Sequence, residues 1–161
     1  MLDDERLEKY KSEFTRTLME VLGKLNTLEG EYYEKNEEFD NSYEGNTIPE
    51  HLVETHKIIW KEYKLKYRDI LREYCTEKVS EDPSSTGSMG KPCKYYFIEK
   101  YHELNFIMKT EKKAIIEINY EEWKGSCFGK QFTFHPTENG WKISCVKGRF
   151  AKEDSWSRDW M

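Results

Sequence analysis

Histidine is the residue type whose chemistry would be easiest to recognise in this sequence, and its spacing argues against a catalytic or metal site. His51 and His56 lie five apart on a predicted helix, whereas zinc-binding pairs usually lie four apart so that both rings share one face. A His51 near the helix start and a half-buried His56 are therefore favoured over metal binding. His102 and His135 have no carboxylate partner that the sequence alone assigns, which leaves an acid–base dyad open but unsupported.

Four cysteines are spread through the chain without a C-x-x-C pair, which suggests neither zinc nor a redox dithiol. With no export signal evident, we expect reduced, mostly buried thiols. H-E-x-x-H and G-x-S-x-G are absent, and SSTGSMGKP (84–92) lacks the spacing of a phosphate-binding loop. We therefore predict no catalytic residue, no metal and no cofactor, and hence no enzyme. The cysteines are Cys75, Cys93, Cys127 and Cys145.

One segment, EGEYYEKNEEFDNSYEG (29–45), combines seven acidic residues and one base with four aromatic rings. Carboxylates steer the encounter with a basic partner, while Tyr and Phe supply rigid contact area. We predict a protein-binding surface here, and the alternative is a helical hairpin tip whose outer face is merely solvated. The candidate partner-binding residues are Glu29, Glu31, Tyr33, Glu34, Glu37, Glu38, Asp40, Tyr43 and Glu44.

The net charge of −5 is unevenly distributed along the 161 residues. Residues 1–50 hold 14 acidic and 6 basic residues, whereas residues 51–161 hold 17 acidic and 20 basic residues. No basic stripe of the kind that neutralises phosphates is evident, which argues against a nucleic-acid partner. Because the chain has no apolar run of about 18 residues and no signal-peptide pattern, we expect no membrane association and a cytoplasmic location.

Two amphipathic helices are predicted within residues 1–79 from apolar residues at helical spacing. Asp3 and Asp4 offer an N-cap for the first helix, and Thr47 with Glu50 predicts a capping box for the second. The second helix is expected to direct its bases away from its apolar stripe. The bases are Lys57, Lys61, Lys64, Lys66 and Arg68, and the stripe is Leu52, His56, Ile59, Trp60, Tyr63, Tyr67, Ile70, Leu71 and Tyr74.

The apolar period changes from helical to that of β-strands after residues 80–92, a Ser-, Gly- and Pro-rich segment that we expect to be a flexible loop. Alternation is expected to place Phe132 and Phe134 on an apolar face, and Glu117 facing solvent. The next strand is expected to contribute Trp141, Ile143 and Cys145 to its own apolar face. The predicted strand segments are 94–101, 105–109, 114–120, 129–136 and 141–150.

The tail, residues 151–161, carries Trp156 and Trp160 in a polar context, and we favour docking onto the body over an exposed binding patch. For Trp60, Trp123 and Trp141, core packing is favoured over a ligand cavity. We predict a single α+β domain, 1–161. Its parts are a helical half (1–79), a flexible loop (80–92), an antiparallel sheet (93–150) and the tail (151–161).

The element order and the last hairpin, ENGWKISCVKGRF (138–150), resemble the nuclear transport factor 2-like fold. FIMKTEKKAIIEINY (106–120) together with that hairpin is similar to the immunity-protein branch of the fold, which includes the Rhs-associated immunity proteins. The resemblance covers about residues 93–150. It implies two long N-terminal helices packed on a curved antiparallel sheet of four to five strands, which together form a cone.

The resemblance also implies a function. Immunity proteins of this kind are small cytoplasmic proteins that bind and neutralise a cognate bacterial toxin, which implies a toxin domain as partner, basic where it is touched. The oligomeric state is left open. One alternative is a small-molecule-binding protein or enzyme that uses the cone as a pocket, as ketosteroid isomerases do. Another is a structural or regulatory domain.

Overall fold

Two long helices and a five-stranded sheet make up the computed structural model of the protein, which describes residues 2–85, 87–101, 103–121, 127–150, 153 and 155–161. All neighbouring strands are antiparallel, in the order β1–β2–β3–β4–β5. The α+β class is therefore confirmed. The helices are α1 Asp4–Asp40, α2 Val53–Tyr74 and the short α3 Glu77–Ser80, and the strands are β1 Glu103–Thr110, β2 Lys113–Glu121, β3 Cys127–Thr137, β4 Gly140–Phe150 and β5 Ser157–Arg158.

Helix α1 begins where the sequence predicts. The Asp3 carboxylate accepts a hydrogen bond from the Arg6 amide at 2.8 Å, which satisfies one of the free donors of the first turn. The helix then continues for 37 residues, or about 55 Å. None of the helices in the described ranges is both long and apolar enough to cross a bilayer. The buried apolar residues of α1 are Phe14, Leu18, Val21, Leu22, Leu25, Leu28, Tyr32 and Phe39.

The predicted capping box at the start of α2 is wrong. Pro49 has an extended ψ of 144°, Glu50–Leu52 form a 3₁₀ turn, and no side chain caps either this turn or α2. Because Pro49 keeps the chain extended, Thr47 lies too early to cap the helix. The apolar stripe of α2 is confirmed at its centre, where Tyr63 and Tyr67 are buried.

The segment 80–92 is tied to α2 by two side chains. Arg68 donates to the backbone carbonyls of Ser80 and Ser85, and the Tyr63 hydroxyl donates to the carbonyl of Ser88 at 2.5 Å. Arg68 is consequently half-buried against this segment and does not belong to the solvated basic face on which the sequence places it. The composition that predicts flexibility here does not reveal these contacts.

The predicted strand at 94–101 is wrong, since Tyr96–Glu99 form a 3₁₀ turn. The Asn26 side chain on α1 accepts from the Tyr95 amide at 3.1 Å and donates to the Tyr95 carbonyl at 2.9 Å. These bonds occupy the backbone groups of Tyr95 that strand pairing would need. Tyr95 and Phe97 are both buried, so the apolar residues that suggested a strand serve the core instead.

A β-bulge in the β3–β4 hairpin decides which residues face the core. Thr133 pairs with Cys145 and Phe134 pairs with Ile143, so Ser144 is the additional residue of β4. Cys145 therefore lies on the face away from the core, beside Thr133, and its predicted apolar position is wrong. Glu117 also lies on that outer face, as predicted, where it accepts from the Gln131 amide at 3.0 Å. The core-facing residues of the hairpin include Phe132, Phe134, Trp141, Ile143 and Val146.

Aromatic rings join the helices to one face of the sheet. The Phe14 ring centroid lies 5.1 Å from that of Phe134 and 4.8 Å from that of Trp141, while Tyr32 and Tyr63 join α1 to α2 at 5.4 Å. Such pairs add to the area that they bury. The space between helices and sheet is accordingly occupied by large side chains.

The described part of the tail docks onto the sheet, as favoured from the sequence. Residues Ser157–Arg158 pair with β4, Trp156 stacks on the guanidinium of Arg149 at 4.2 Å, and Met161 is buried. Trp156 approaches the outer face so closely that a Cβ at Gly129 would lie 2.9 Å from its ring. A larger residue than glycine at this position would displace Trp156.

Candidate functional site

The C-terminal end of α1 and the turn after it display six carboxylates to solvent, which we call the acidic tip. Tyr33 and Tyr43 lie beside the acidic tip and are half-buried. The structure therefore brings together all but one of the residues predicted to bind a partner, and the exception is Glu29. The acidic tip consists of Glu31, Glu34, Glu37, Glu38, Asp40 and Glu44.

Helical geometry aligns part of the acidic tip into one stripe. At 3.6 residues per turn, Glu31, Glu34 and Glu38 fall within about 60° of helix circumference. Carboxylates three or four residues apart on a helix repel each other. The single base of this segment, Lys35, lies 3.4 Å from Glu31, whereas Glu34 and Glu38 have no ion-pair partner among the described residues.

The helix dipole opposes the charges of the acidic tip. The backbone carbonyls at the end of a helix carry partial negative charge, so bases are favoured there and acids are disfavoured. The last turn of α1 contains Glu37, Glu38 and Asp40 and no base. The free protein therefore holds these carboxylates in an unfavourable field, and a cation that approached them would relieve it.

Packed aromatic rings support the acidic tip from beneath. Phe39 is buried, and its centroid lies 5.5 Å from that of Tyr43 and 5.4 Å from that of His56. The Tyr43 hydroxyl also donates to Asp40 at 3.3 Å, and the Ser42 hydroxyl donates to the Phe39 carbonyl at 2.6 Å. The turn that carries the last carboxylates is thus fixed by packing, which reduces the entropy lost when a partner binds.

Glu29 does not belong to this surface, and its assignment to partner binding is wrong. Only 3% of the residue is exposed, and its carboxylate accepts from the amides of Gly90 and Lys94, both at 2.9 Å. Burial raises the pKa of Glu29, although the two amides oppose this shift. Glu29 instead anchors the segment before the 3₁₀ turn to the middle of α1.

A buried charged cluster near Glu29 was not predicted from the sequence. On the core face of β3, Lys130 is 8% exposed and pairs with Asp159 of the tail at 2.6 Å. Lys94 lies nearby, and its ammonium donates to the Trp160 carbonyl at 3.3 Å. Burial and the neighbouring Lys130 lower the pKa of Lys94 to about 8. The alternation that places Phe132 on the core face also places Lys130 there, and this signal could have identified it.

The buried cluster joins β3 and the segment around Lys94 to the tail. Burial alone would raise the pKa of Asp159, but the ammonium of Lys130 and the amide of Trp160 hold it below its ordinary value. Tyr95 lies under the Lys94 and Lys130 ammonium groups, at 5.4 and 5.8 Å from its ring centroid. Each charge in the cluster is engaged by a neighbour, which is typical of a structural ion network rather than of a catalytic centre.

The histidines take up packing and structural positions. The His56 ring packs between Phe39 and Trp60, and His51 is exposed. In the ranges that the structure describes, no three acidic, His or Cys side chains are placed to hold a metal ion. His102, Trp123 and the side chain of Cys127 lie outside the described residues.

Among the described residues, His135 and Ser144 form the one contact that resembles a catalytic pair. Nδ1 of His135 contacts Oγ of Ser144, but the serine hydroxyl lies 3.3 Å from the Thr133 carbonyl, to which it donates. In the tautomer that keeps this hydroxyl bond, the imidazole donates to the serine oxygen and does not accept its proton. This polarity does not activate a nucleophile, because activation needs the base to accept. The pair instead supports the bulge of β4.

Helix α2 presents charge of the opposite sign. Lys57, Lys61 and Lys64 are exposed on its outer face, together with Ile58 at 52% and Leu65 at 55% exposure. Apart from Arg68 and from Lys66, whose ammonium lies 5.2 Å from the Tyr32 ring centroid of α1, the basic face predicted for α2 is therefore confirmed. The absence of a nucleic-acid partner stays a prediction.

Comparison of the chain with models of known protein families, with curated proteins and with solved structures produced no match. Function must therefore be inferred from the surface and its charges.

Proposed function

We propose that this chain is a binding protein that captures a basic protein partner with the acidic tip of α1. The observation that carries this proposal is the set of three carboxylates in the last turn of the 37-residue α1, where the helix dipole disfavours them and no described residue forms an ion pair with them. A solvated hairpin tip gains nothing from this arrangement. A partner with lysine or arginine at its surface would gain attraction at long range and contact with Tyr33 and Tyr43 at short range.

The partner that we propose is a bacterial toxin domain, and the chain would act as its cytoplasmic, non-enzymatic immunity protein. The support is the resemblance of residues 93–150 to immunity proteins with the nuclear transport factor 2-like fold, together with the order of two long helices and an antiparallel sheet. We also propose that the helices and the sheet together form the cone of that fold. Toxin domains that act on nucleic acid are often basic, which matches the sign of the acidic tip.

A small-molecule pocket inside the cone is the weaker alternative. The space between helices and sheet holds Phe14, Tyr63, Tyr67 and Phe134, all of them buried. Pockets for ligands are concave and combine apolar walls with a few convergent polar groups. Large rings that pack against each other in this space favour a core over such a pocket.

The test is co-expression with the product of the gene immediately upstream, followed by stopped-flow measurement of association. We expect the wild-type chain to restore growth, and the association rate constant to fall steeply as salt rises, since steering is screened. The variant Glu34→Lys/Glu38→Lys should associate at least about tenfold more slowly at low salt.

The matched control is Glu8→Lys/Glu13→Lys, which changes the net charge equally at exposed positions near the other end of α1. This control should associate almost as fast as the wild type. Equal slowing by both variants would mean that net charge alone matters, and would remove the acidic tip from the mechanism. An upstream product that is not toxic, or is toxic but not neutralised, would contradict the immunity function.

A further inference from the structure

A pocket lies along the edge of β4, and none of its lining residues belongs to the acidic tip. The Thr76 amide donates to the Ile143 carbonyl at 2.9 Å, and the Asp159 amide donates to the Val146 carbonyl at 3.0 Å. Between these two points a pocket of about 250 Å³ opens, bounded by α3 with the turn after it and by the tail.

Two buried polar atoms of pocket-lining residues have no hydrogen-bond partner in the described part of the chain. They are Oγ of Ser85, a residue that is 1% exposed, and Nε1 of Trp160. The Ser85 amide donates to the Asp82 carbonyl and the Ser85 carbonyl accepts from Arg68, so only its hydroxyl is left over. Because buried polar groups nearly always have partners, these two require one. Both atoms are closed to solvent in this structure, so an acceptor inside the pocket would reach them only after their side chains turn toward it.

The charges around the pocket favour an anion. Its two carboxylates are already engaged, Asp82 by Arg158 at 2.7 Å and Asp159 by the buried Lys130. Lys78 and Lys147 also line the pocket, and neither forms an ion pair with a described residue. The surplus charge of the lining is therefore positive.

The remaining wall is apolar and limits the size of an occupant. Val79, Val146 and the Trp160 indole contribute to it. An engineered cavity of about 150 Å³ holds benzene, so 250 Å³ leaves room for one ring or a branched chain with a charged head. We propose that this pocket binds a small organic anion, a carboxylate carried on a compact apolar body.

Ligand-observed NMR with small carboxylic acids and their amides tests this directly. The panel would contain benzoate, phenylacetate and isovalerate with benzamide, phenylacetamide and isovaleramide, so that each pair differs only in charge. We expect at least one acid to bind at millimolar concentration or below, and about tenfold more tightly than its amide. This preference should disappear in Trp160→Phe/Lys147→Gln, which keeps a ring but removes the indole donor and one ammonium.

The control Trp60→Phe/Lys61→Gln makes the same changes in the open groove of α2 and should keep the preference. Failure of every acid in the panel to bind would overturn the proposal. Equal binding of acids and amides would also overturn it, as would acid binding that survives in the Trp160→Phe/Lys147→Gln variant, because either result would mean that the pocket does not select an anion.

Cys145 provides a second readout that does not depend on a variant of Trp160. Its thiol is free and half-buried, and it lines the pocket. The rates of alkylation by iodoacetate and by neutral iodoacetamide would be compared at Cys145 by peptide mass spectrometry. We expect the ratio of the two rates to fall severalfold in Lys147→Gln and to stay unchanged in Lys61→Gln. A ratio that is the same in all three proteins would contradict the anion preference.

Discussion

Replacing Glu37 and Glu38 by glutamine is expected to stabilise the protein. Both residues lie in the last turn of α1, and removing each charge relieves an unfavourable dipole interaction of about 0.3–1 kcal/mol. The change also removes two like-charge pairs with Glu34, each worth about 0.2–0.5 kcal/mol. The free energy of unfolding should therefore rise by about 1–3 kcal/mol at low ionic strength, and each kcal/mol should raise Tm by about 2–4 °C.

Urea unfolding at low and high salt measures this effect. The gain should shrink as salt rises, because exposed charges are screened. The control Glu8→Gln/Glu13→Gln removes two exposed acids away from the helix end and should change stability by less than about 0.5 kcal/mol. If Glu37→Gln/Glu38→Gln is neutral or destabilising at low salt, these carboxylates have favourable partners in the free protein. The reason for assigning them to a binding partner would then be lost.

Three further predictions concern the buried charges. Asp159→Asn should lower the free energy of unfolding by roughly 3 kcal/mol, since it leaves the Lys130 ammonium buried without its anion. If urea unfolding measures a loss below about 1 kcal/mol, water must reach Lys130. Lys94 has a pKa of about 8 in the fold, below its unfolded value, so the unfolded chain binds more protons between these two values. Wild-type stability should therefore rise with pH above about 8 relative to Lys94→Met, and parallel pH profiles of the two proteins would refute this. Glu29→Ala should accelerate hydrogen exchange at the Gly90 and Lys94 amides, while Glu29→Gln, which keeps one acceptor oxygen, should do so less; unchanged exchange in both variants would mean that other contacts hold this segment.

Regular periodicity made most of the fold predictable from the sequence. The start of α1, the stripe of α2 and the strand segments 105–109, 114–120, 129–136 and 141–150 follow from local patterns, and the structure confirms them. The bulge at Ser144 could not be predicted, because one additional residue shifts the register without disturbing the alternation on either side. The turn at Tyr96–Glu99 could not be predicted either, because the backbone of Tyr95 just before it bonds to the side chain of Asn26, which is far away in sequence.

The charge of the candidate site could be predicted from the sequence, but the exact set of residues that form it could not. Most of the carboxylates between residues 29 and 45 are exposed as expected. Glu29 is different because its acceptor oxygens are needed by amides that lie 61 and 65 residues later. A helical projection places Glu29 on the buried face of α1, since it lies four residues after Leu25 and three before Tyr32, which are both core residues.

The docking of the tail has a consequence for synthesis of the protein on the ribosome. While residues 157–161 are still inside the exit tunnel, β4 lacks its edge partner, Lys130 lacks Asp159, and the site of Met161 in the core is empty. Contacts between distant segments form late, because the chain must close long loops to reach them. We therefore expect the nascent chain to complete its core only after these residues have emerged. Until then its apolar sheet face is a target for chaperones, and a ribosome stalled before residue 157 would carry a chain that is sensitive to proteases.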